Sequence, residues 1–289
     1  MSIPRSLHRL VDDAAIYPPG LMPLPDAVPA HAAHRASPHA DLVGPFVVPA
    51  ARLAEVEARV RALALDPVGL AVVVPGVGGV GAATRRIDAS AVLRLDAVEV
   101  ALDPTRDLID QVDQVAADTS ALPSSVAVHV EVPRPGHRQW SDLAPRLARR
   151  GLSAKLRTGG TEAEAFPSVD ELAGWIHDIV RHGGRFKCTA GLHHALAYRD
   201  PATGLDHHGF VGVLLATLVA SRGGTHEEVA AAVAEREPDG VHRWLGAAGA
   251  GALGEARSWF LSYGSCSVEE PLADLASLGL LDDRSGASA

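Results

Sequence analysis

The chain has 26 basic residues, and only Lys155 and Lys187 among them are lysines; the rest are arginines. A solvated surface cation can be either residue. An amine that must shed its proton and attack a carbonyl carbon has to be lysine, because the guanidinium keeps its charge. Both lysines lie in short apolar runs where polar residues alternate with apolar ones. Lys155 and Arg157 alternate with Ala154 and Leu156, and Lys187 and Thr189 with Phe186 and Cys188. Upstream, His129 and Glu131 alternate with Val128, Val130 and Val132. A period of two is strand geometry and turns each polar pair to one face. The chemistry this predicts is Schiff-base formation. Lys155 attacks an aldehyde or ketone, and Lys187, as a neighbouring cation, keeps Lys155 neutral. Glu131, with His193 or His194, moves protons, while Arg157 and Thr189 hold a carboxylate or similar anion. Glu99 follows the same logic one strand earlier. The competing reading makes the lysines partners of Glu131 in buried ion pairs that only hold the fold together.

The elements that must position these residues alternate. Strand patterns occupy 46–48, 70–74, 97–102, 126–132, 153–158 and 185–190. Helical spacing occupies 52–63, 107–117, 137–150, 168–182, 209–221, 226–236, 253–260 and 272–278, with a shorter amphipathic stretch at 28–35. Ser168 followed by Glu171 reads as a capping box. Strands alternating with helices mean a parallel sheet. In an open sheet both faces carry helices, and the charged pairs would be buried without water. In a closed barrel they point inward, near the mouth where active sites form. The expected fold is therefore an α/β (βα) TIM-like barrel, with room left for an incomplete or distorted one, since a seventh or eighth strand is hard to place after 190. Residues 41–289 form the barrel domain and 1–40 an N-terminal extension packed on it. The prolines, Ile16 and Tyr17 argue against a loose tail. The polar residues 282–289 read as frayed.

Composition narrows the classes. With 47% hydrophobic and 21% charged residues, the chain can bury a large core. A net charge of −9 argues against nucleic acid or an anionic membrane as partner. Two cysteines give no disulfide framework, so a reducing, cytoplasmic location is expected. The first residues lack the apolar core of a signal peptide, and no uncharged run reads as a membrane helix. The expected partner is a small-molecule substrate, together with further copies of the chain in a homo-oligomer.

Three other signals bear on chemistry. Gly76-Val77-Gly78-Gly79-Val80-Gly81 matches the dinucleotide fingerprint after a strand, with Asp103 downstream. It supports an alternative reading as an NAD(P)-dependent oxidoreductase, against a loop of the barrel. His193, His194, His207 and His208 fit no standard zinc spacing, so hydrogen-bonding or acid–base roles are expected and no metal or cofactor is assigned. Three cations at the mouth with Glu131 as the one carboxylate placed there would also oppose a divalent ion. Cys266, in a Gly-Ser-Cys-Ser turn, is a candidate reactive thiol or part of an anion site, unless Ser267 simply caps the last helix.

The segment Ala154-Lys155-Leu156-Arg157-Thr158-Gly159-Gly160, followed by Phe186-Lys187-Cys188-Thr189-Ala190-Gly191, resembles the paired lysine strands of deoxyribose-phosphate aldolase and its class I aldolase relatives. The resemblance implies that the first lysine forms the Schiff base and the second lowers its pKa. Arg157 departs from the pattern, and Gly191-Leu192-His193-His194 replaces the aldolase's phosphate-binding glycine turn. These changes suggest a carboxylate in place of phosphate. The whole chain is also similar to an uncharacterised bacterial protein family through Asp13 to Pro19, the two lysine strands, Ala190 to His194, His208-Gly209-Phe210, Gly264 to Ser267 and Glu270-Pro271. That likeness adds Asp13, His208 and Cys266 to the candidate substrate-binding residues. The expected function is a Schiff-base-forming lyase of aldolase type; a non-catalytic anion-binding barrel is a further alternative.

Overall fold

The computed structural model describes residues 2–281; the closing residues 282–289, read as frayed, lie outside the described residues. Ten strands form in chain order: β1 (Val11–Asp13), β2 (Val43–Pro49), β3 (Val68–Pro75), β4 (Leu93–Ala101), β5 (Ala127–Glu131), β6 (Ser153–Arg157), β7 (Arg185–Thr189), β8 (Tyr198–Arg199), β9 (Asp206–His207) and β10 (Phe260–Ser265). Eight of them close a parallel barrel, with β1 pairing β10 on one side and β2 on the other, while β8 and β9 make a separate hairpin. The helices are α1 (Leu24–Arg35), α2 (Leu53–Ala62), α3 (Val80–Asp88), α4 (Leu108–Asp118), α5 (His137–Arg149), α6 (Val169–Arg181), α7 (Phe210–Ser221), α8 (His226–Val233), α9 (Pro238–Ala248), α10 (Ala252–Ala256) and α11 (Glu269–Ser277). The barrel is complete, where an incomplete or distorted one was allowed for.

Two expectations about its ends are corrected. The segment 1–40 is not only an extension packed on the barrel: β1 is one of the staves. It is three residues long, too short for periodicity to reveal. Its amides and carbonyls are paired on both edges, which is why all three residues are buried. The last stave, β10, begins at Phe260, the final residue of the run 253–260 read as a helix. There α10 stops at Ala256, and the chain then extends as Phe260-Leu261-Ser262-Tyr263.

Between β7 and β10 the usual single helix is replaced by the hairpin and four helices. The first, α7, is buried all round because Val, Leu and Ala occupy every side of it, and it packs against α6, α8 and α10. Reciprocal capping boxes start two helices. Ser168 accepts from Glu171 N while Glu171 accepts from Ser168 N at α6, and Thr225 and Glu228 repeat this at α8.

The barrel interior has two characters. Beside β2, β3 and β4 it is filled by Val47, Ala71 and Ala97. From Glu99 on β4 round to β1 it holds the buried polar groups Asp12, Glu99, His129, Lys155, Lys187 and Ser262. Deleting residues 1–20 removes β1 and leaves the facing edges of β10 and β2 unpaired. We expect loss of the cooperative thermal transition followed by circular dichroism; a soluble product with an unchanged midpoint would contradict the place of β1 in the barrel.

Candidate active site

Parallel register brings the reactive residues to adjacent strands. Glu131 lies level with Lys155, Lys155 with Lys187, and Arg157 with Thr189. With Glu99, these five residues line one cavity of about 240 Å³ at the C-terminal end of the barrel.

Inside, cations and carboxylates alternate. Lys187 Nζ donates to Asp12 Oδ2 at 2.5 Å and to Glu99 Oε1 at 2.6 Å. The other oxygen of Glu99 lies 2.7 Å from Lys155 Nζ, which is also 2.7 Å from Glu131 Oε2. Arg157 closes the line at the mouth, giving Nε and Nη2 to Glu131 Oε1 at 3.2 and 2.8 Å. Side-chain exposure rises along it, from 1% at Lys187 to 6% at Lys155, 16% at Glu131 and 47% at Arg157. Ser262 adds a hydroxyl to Asp12 at 2.7 Å.

The protonation preferences follow from this packing. Burial opposes ionisation of Glu99, but Lys155 and Lys187 outweigh it and hold the carboxyl well below the ordinary range. Burial also opposes the Lys187 ammonium, and Asp12 and Glu99 outweigh it, so its pKa is raised. Lys187 is therefore a fixed cation whose charge is already matched. The expected role of Lys187 as a bare cation acting on Lys155 is replaced by a carboxylate shared between the two amines. His129, buried beside these groups, is pushed down to about 3 by desolvation and Lys187, so it is neutral at physiological pH. Glu131 sits below the ordinary range: burial acts against this, and Lys155 and Arg157 win.

The remaining expected residues divide. Thr189, His193 and Cys266 line the cavity. His193 Nδ1 lies 3.8 Å from Cys266 Sγ and 3.8 Å from Glu270. Burial lowers the pKa of His193, favouring the neutral ring. Burial pushes the Cys266 thiol up, which goes against the reactive thiolate read from its turn, and Ser267 Oγ accepts from Glu270 N at the head of α11.

Asp13 is turned away from the cavity: its carboxylate meets His31 at 2.9 Å and accepts from Ala15 N. Its neighbour Asp12, missed from sequence, is the one that reaches the lysines, since adjacent strand residues face opposite sides. His194 pairs with Asp274 at 3.1 Å, half-exposed and outside the lysine cavity. His208 is buried with Nε2 2.8 Å from Pro167 O, away from both. Among the described residues no three His, Cys, Asp or Glu side chains are grouped to hold a metal ion. The expectation that Glu131 was the one carboxylate near the lysines is corrected, because Glu99 and Asp12 join it.

The glycine loop does run from a strand to a helix, with Gly76 and Gly78 at positive φ ahead of α3. Gly78 N, however, donates to Asp118 Oδ2 at 3.0 Å, so a protein carboxylate holds an amide a nucleotide phosphate would need. Asp103 accepts from Thr105 in its own turn. Neither contact favours the oxidoreductase reading. No helix of the described residues is long and apolar enough to cross a membrane.

No protein-family model matches the chain, and no curated protein sequence matches it. Among solved structures it is similar to the deoxyribose phosphate aldolase from Aeropyrum pernix, described as having a unique tetrameric structure. The TM-score is 0.53 at 12% identity, over 95% of this chain and 93% of that one. The likeness shows a shared barrel fold across nearly the whole of both chains.

Glu99 yields a prediction with a definite pH sign. Its folded pKa lies below the ordinary value of 4.5, so its ionised form stabilises the fold above that pH, and the contribution is lost as pH falls. Glu99→Gln removes the charge shared by two buried ammonium groups. We expect a loss of about 3 kcal/mol at pH 7, shrinking as the pH drops below 4.5. Urea unfolding of both proteins across pH 7 to 3 checks this; a gap independent of pH would contradict it.

Proposed function

We propose that the protein is a Schiff-base-forming lyase of aldolase type acting on a small carbonyl compound. The observation that carries this reading is the position of Lys155. It is the lysine nearer the mouth of the charge line, in the cavity, with a carboxylate on each side. Lys187, deeper and bound by Asp12 and Glu99, is held as a cation.

In this reading Lys155 gives its ammonium proton to Glu131 as the substrate enters. The free amine attacks the carbonyl carbon to form a carbinolamine. The carbinolamine oxygen takes up a proton and leaves as water, producing an iminium. The iminium is an electron sink: a base takes the proton of the hydroxyl on the β-carbon, the α–β carbon–carbon bond breaks, the β-carbon leaves as a carbonyl product and the bonding pair forms the enamine. Protonation of the enamine carbon restores the iminium, which water hydrolyses to the second carbonyl product and free lysine; the reverse order forms the bond. Glu131 and neutral His193 are the groups available to carry protons. Glu99 and Lys187 hold the pair in place as a preorganised ionic framework.

The anion expected on Arg157 is not carried into this proposal. The guanidinium fork that would grip a substrate carboxylate already faces Glu131, so Arg157 reads as the group that orients the proton carrier. Cytoplasmic location and assembly into identical copies remain part of the proposal, resting on composition and on no contact described above.

Lys155→Arg keeps the positive charge and loses the nucleophile. We expect borohydride reduction in the presence of small aldehydes and ketones to add one substrate-derived mass to the wild-type peptide bearing Lys155. No addition is expected in Lys155→Arg, whose circular dichroism stays native. Equal trapping in both proteins, or trapping on Lys187 instead, would overturn the assignment.

A further inference from the structure

The cavity of Lys155 continues outward into a second cleft of about 440 Å³, sharing Gly160, Thr161, Gly191 and His193 with it. Its outer wall is built by the hairpin β8–β9. Tyr198 stacks on His207 at 4.8 Å, and Phe166 meets the same ring edge-on at 4.7 Å. Glu270 supplies a carboxylate, Asp200 a second one that accepts from Ala202 N and Thr203 Oγ1 in its own turn, and His193, His194 and His207 line the cleft with no lysine or arginine.

This is where a barrel of this kind commonly binds phosphate: the loops after its seventh and eighth staves and the helix N-termini beside them. Here the chain itself takes those amides. Phe210 N and Val211 N, at the head of α7, donate to His194 O and Ala195 O. At the head of α11, Glu270 N donates to Ser267 Oγ, and the first turn carries Glu269 and Glu270. The loops after β6 and β7 are also closed on one another. A Cβ placed on Gly191 would lie 2.9 Å from Gly159 Cα, and Thr158 N donates to Thr189 O.

Ring faces beside carboxylates attract a positive charge and repel a negative one. We propose that the outer cleft is a subsite for an organic cation: the substrate bears, at its end remote from the carbonyl, a positively charged nitrogen and no phosphate. The link to a carbonyl rests on the reading of Lys155 given above; the cation subsite itself does not.

The test compares choline, its uncharged carbon isostere 3,3-dimethylbutan-1-ol and inorganic phosphate, each titrated into the full-length protein. Binding is read from the histidine ring proton shifts in NMR spectra. Choline is expected to bind about tenfold more tightly than the isostere, with shifts in His193 and His207, and phosphate is expected to leave them unmoved. Glu270→Gln should reduce the choline preference, and Tyr198→Ala should weaken choline and isostere together. Phosphate shifting these rings, or choline binding no better than its isostere, overturns the proposal. Acetaldehyde trapping on wild-type protein is run alongside. Its failure would sink the imine reading and leave the choline comparison standing.

Discussion

Two ammonium groups inside a barrel are tolerable only with carboxylates against them, and most of the architecture follows from that requirement. An unpaired buried charge costs several kcal/mol. Each lysine accordingly has two carboxylate neighbours, and Glu99 serves both. Asp12 is the far end of the line, and β1 exists in the barrel to bring it there. Three residues of strand are enough, because their position between β10 and β2 fixes which of the two aspartates faces inward. Arg157 is the near end. It closes the last carboxylate against solvent, so the ionic line passes from a sealed interior to an open mouth with no like charges adjacent.

Such a line is a poor way to stabilise a protein. Apolar residues of similar volume would do as well or better, and this barrel uses them on its other side, where Val47, Ala71 and Ala97 fill the interior. The contrast within one interior argues that the charged half is kept for chemistry. In the reading proposed above, the carboxylates on either side of Lys155 are the acceptors for its proton, and the low local dielectric makes each of those contacts count for more than in water. The same feature explains why Lys187 resembles a nucleophile in sequence and not in surroundings. Both lysines have two carboxylate neighbours; Lys187 differs in being the more enclosed and the farther from the mouth.

What was legible in the sequence tracks how far each feature depends on local pattern. The strands carrying Glu131, Lys155 and Lys187 were legible because polar residues alternating in apolar runs can only be inward-facing in a closed barrel. The box at Ser168 and Glu171 was legible because its partners are three residues apart. β1 was not, since three residues carry no period. β10 was hidden because its apolar start, Phe260-Leu261, continues the apolar run of α10. Asp13 was preferred to Asp12 on resemblance, while the choice between neighbours depends on a strand that could not be seen. The partner of Arg157 was not legible for a different reason: it is the protein's own Glu131, 26 residues away, and its reach is a matter of register between strands.

The long excursion between β7 and β10 completes the argument. A barrel needs one helix there, and this chain instead spends it on a buried helix, three more around it and a hairpin over the mouth. The buried helix α7 anchors the group from below, through side chains apolar on every side. With that base fixed, the preceding loop caps the helix's first amides and the hairpin sets Tyr198 and His207 beside the opening. The lysines depend on the barrel, whose register is common to the fold. The opening is walled in part by this segment, through Tyr198, Asp200 and His207, while Phe166 comes from the loop after β6 and Glu270 from α11. In the reading proposed above, the reacting lysine thus sits on a barrel strand, while the outer cleft is walled by loops, a hairpin and a helix head.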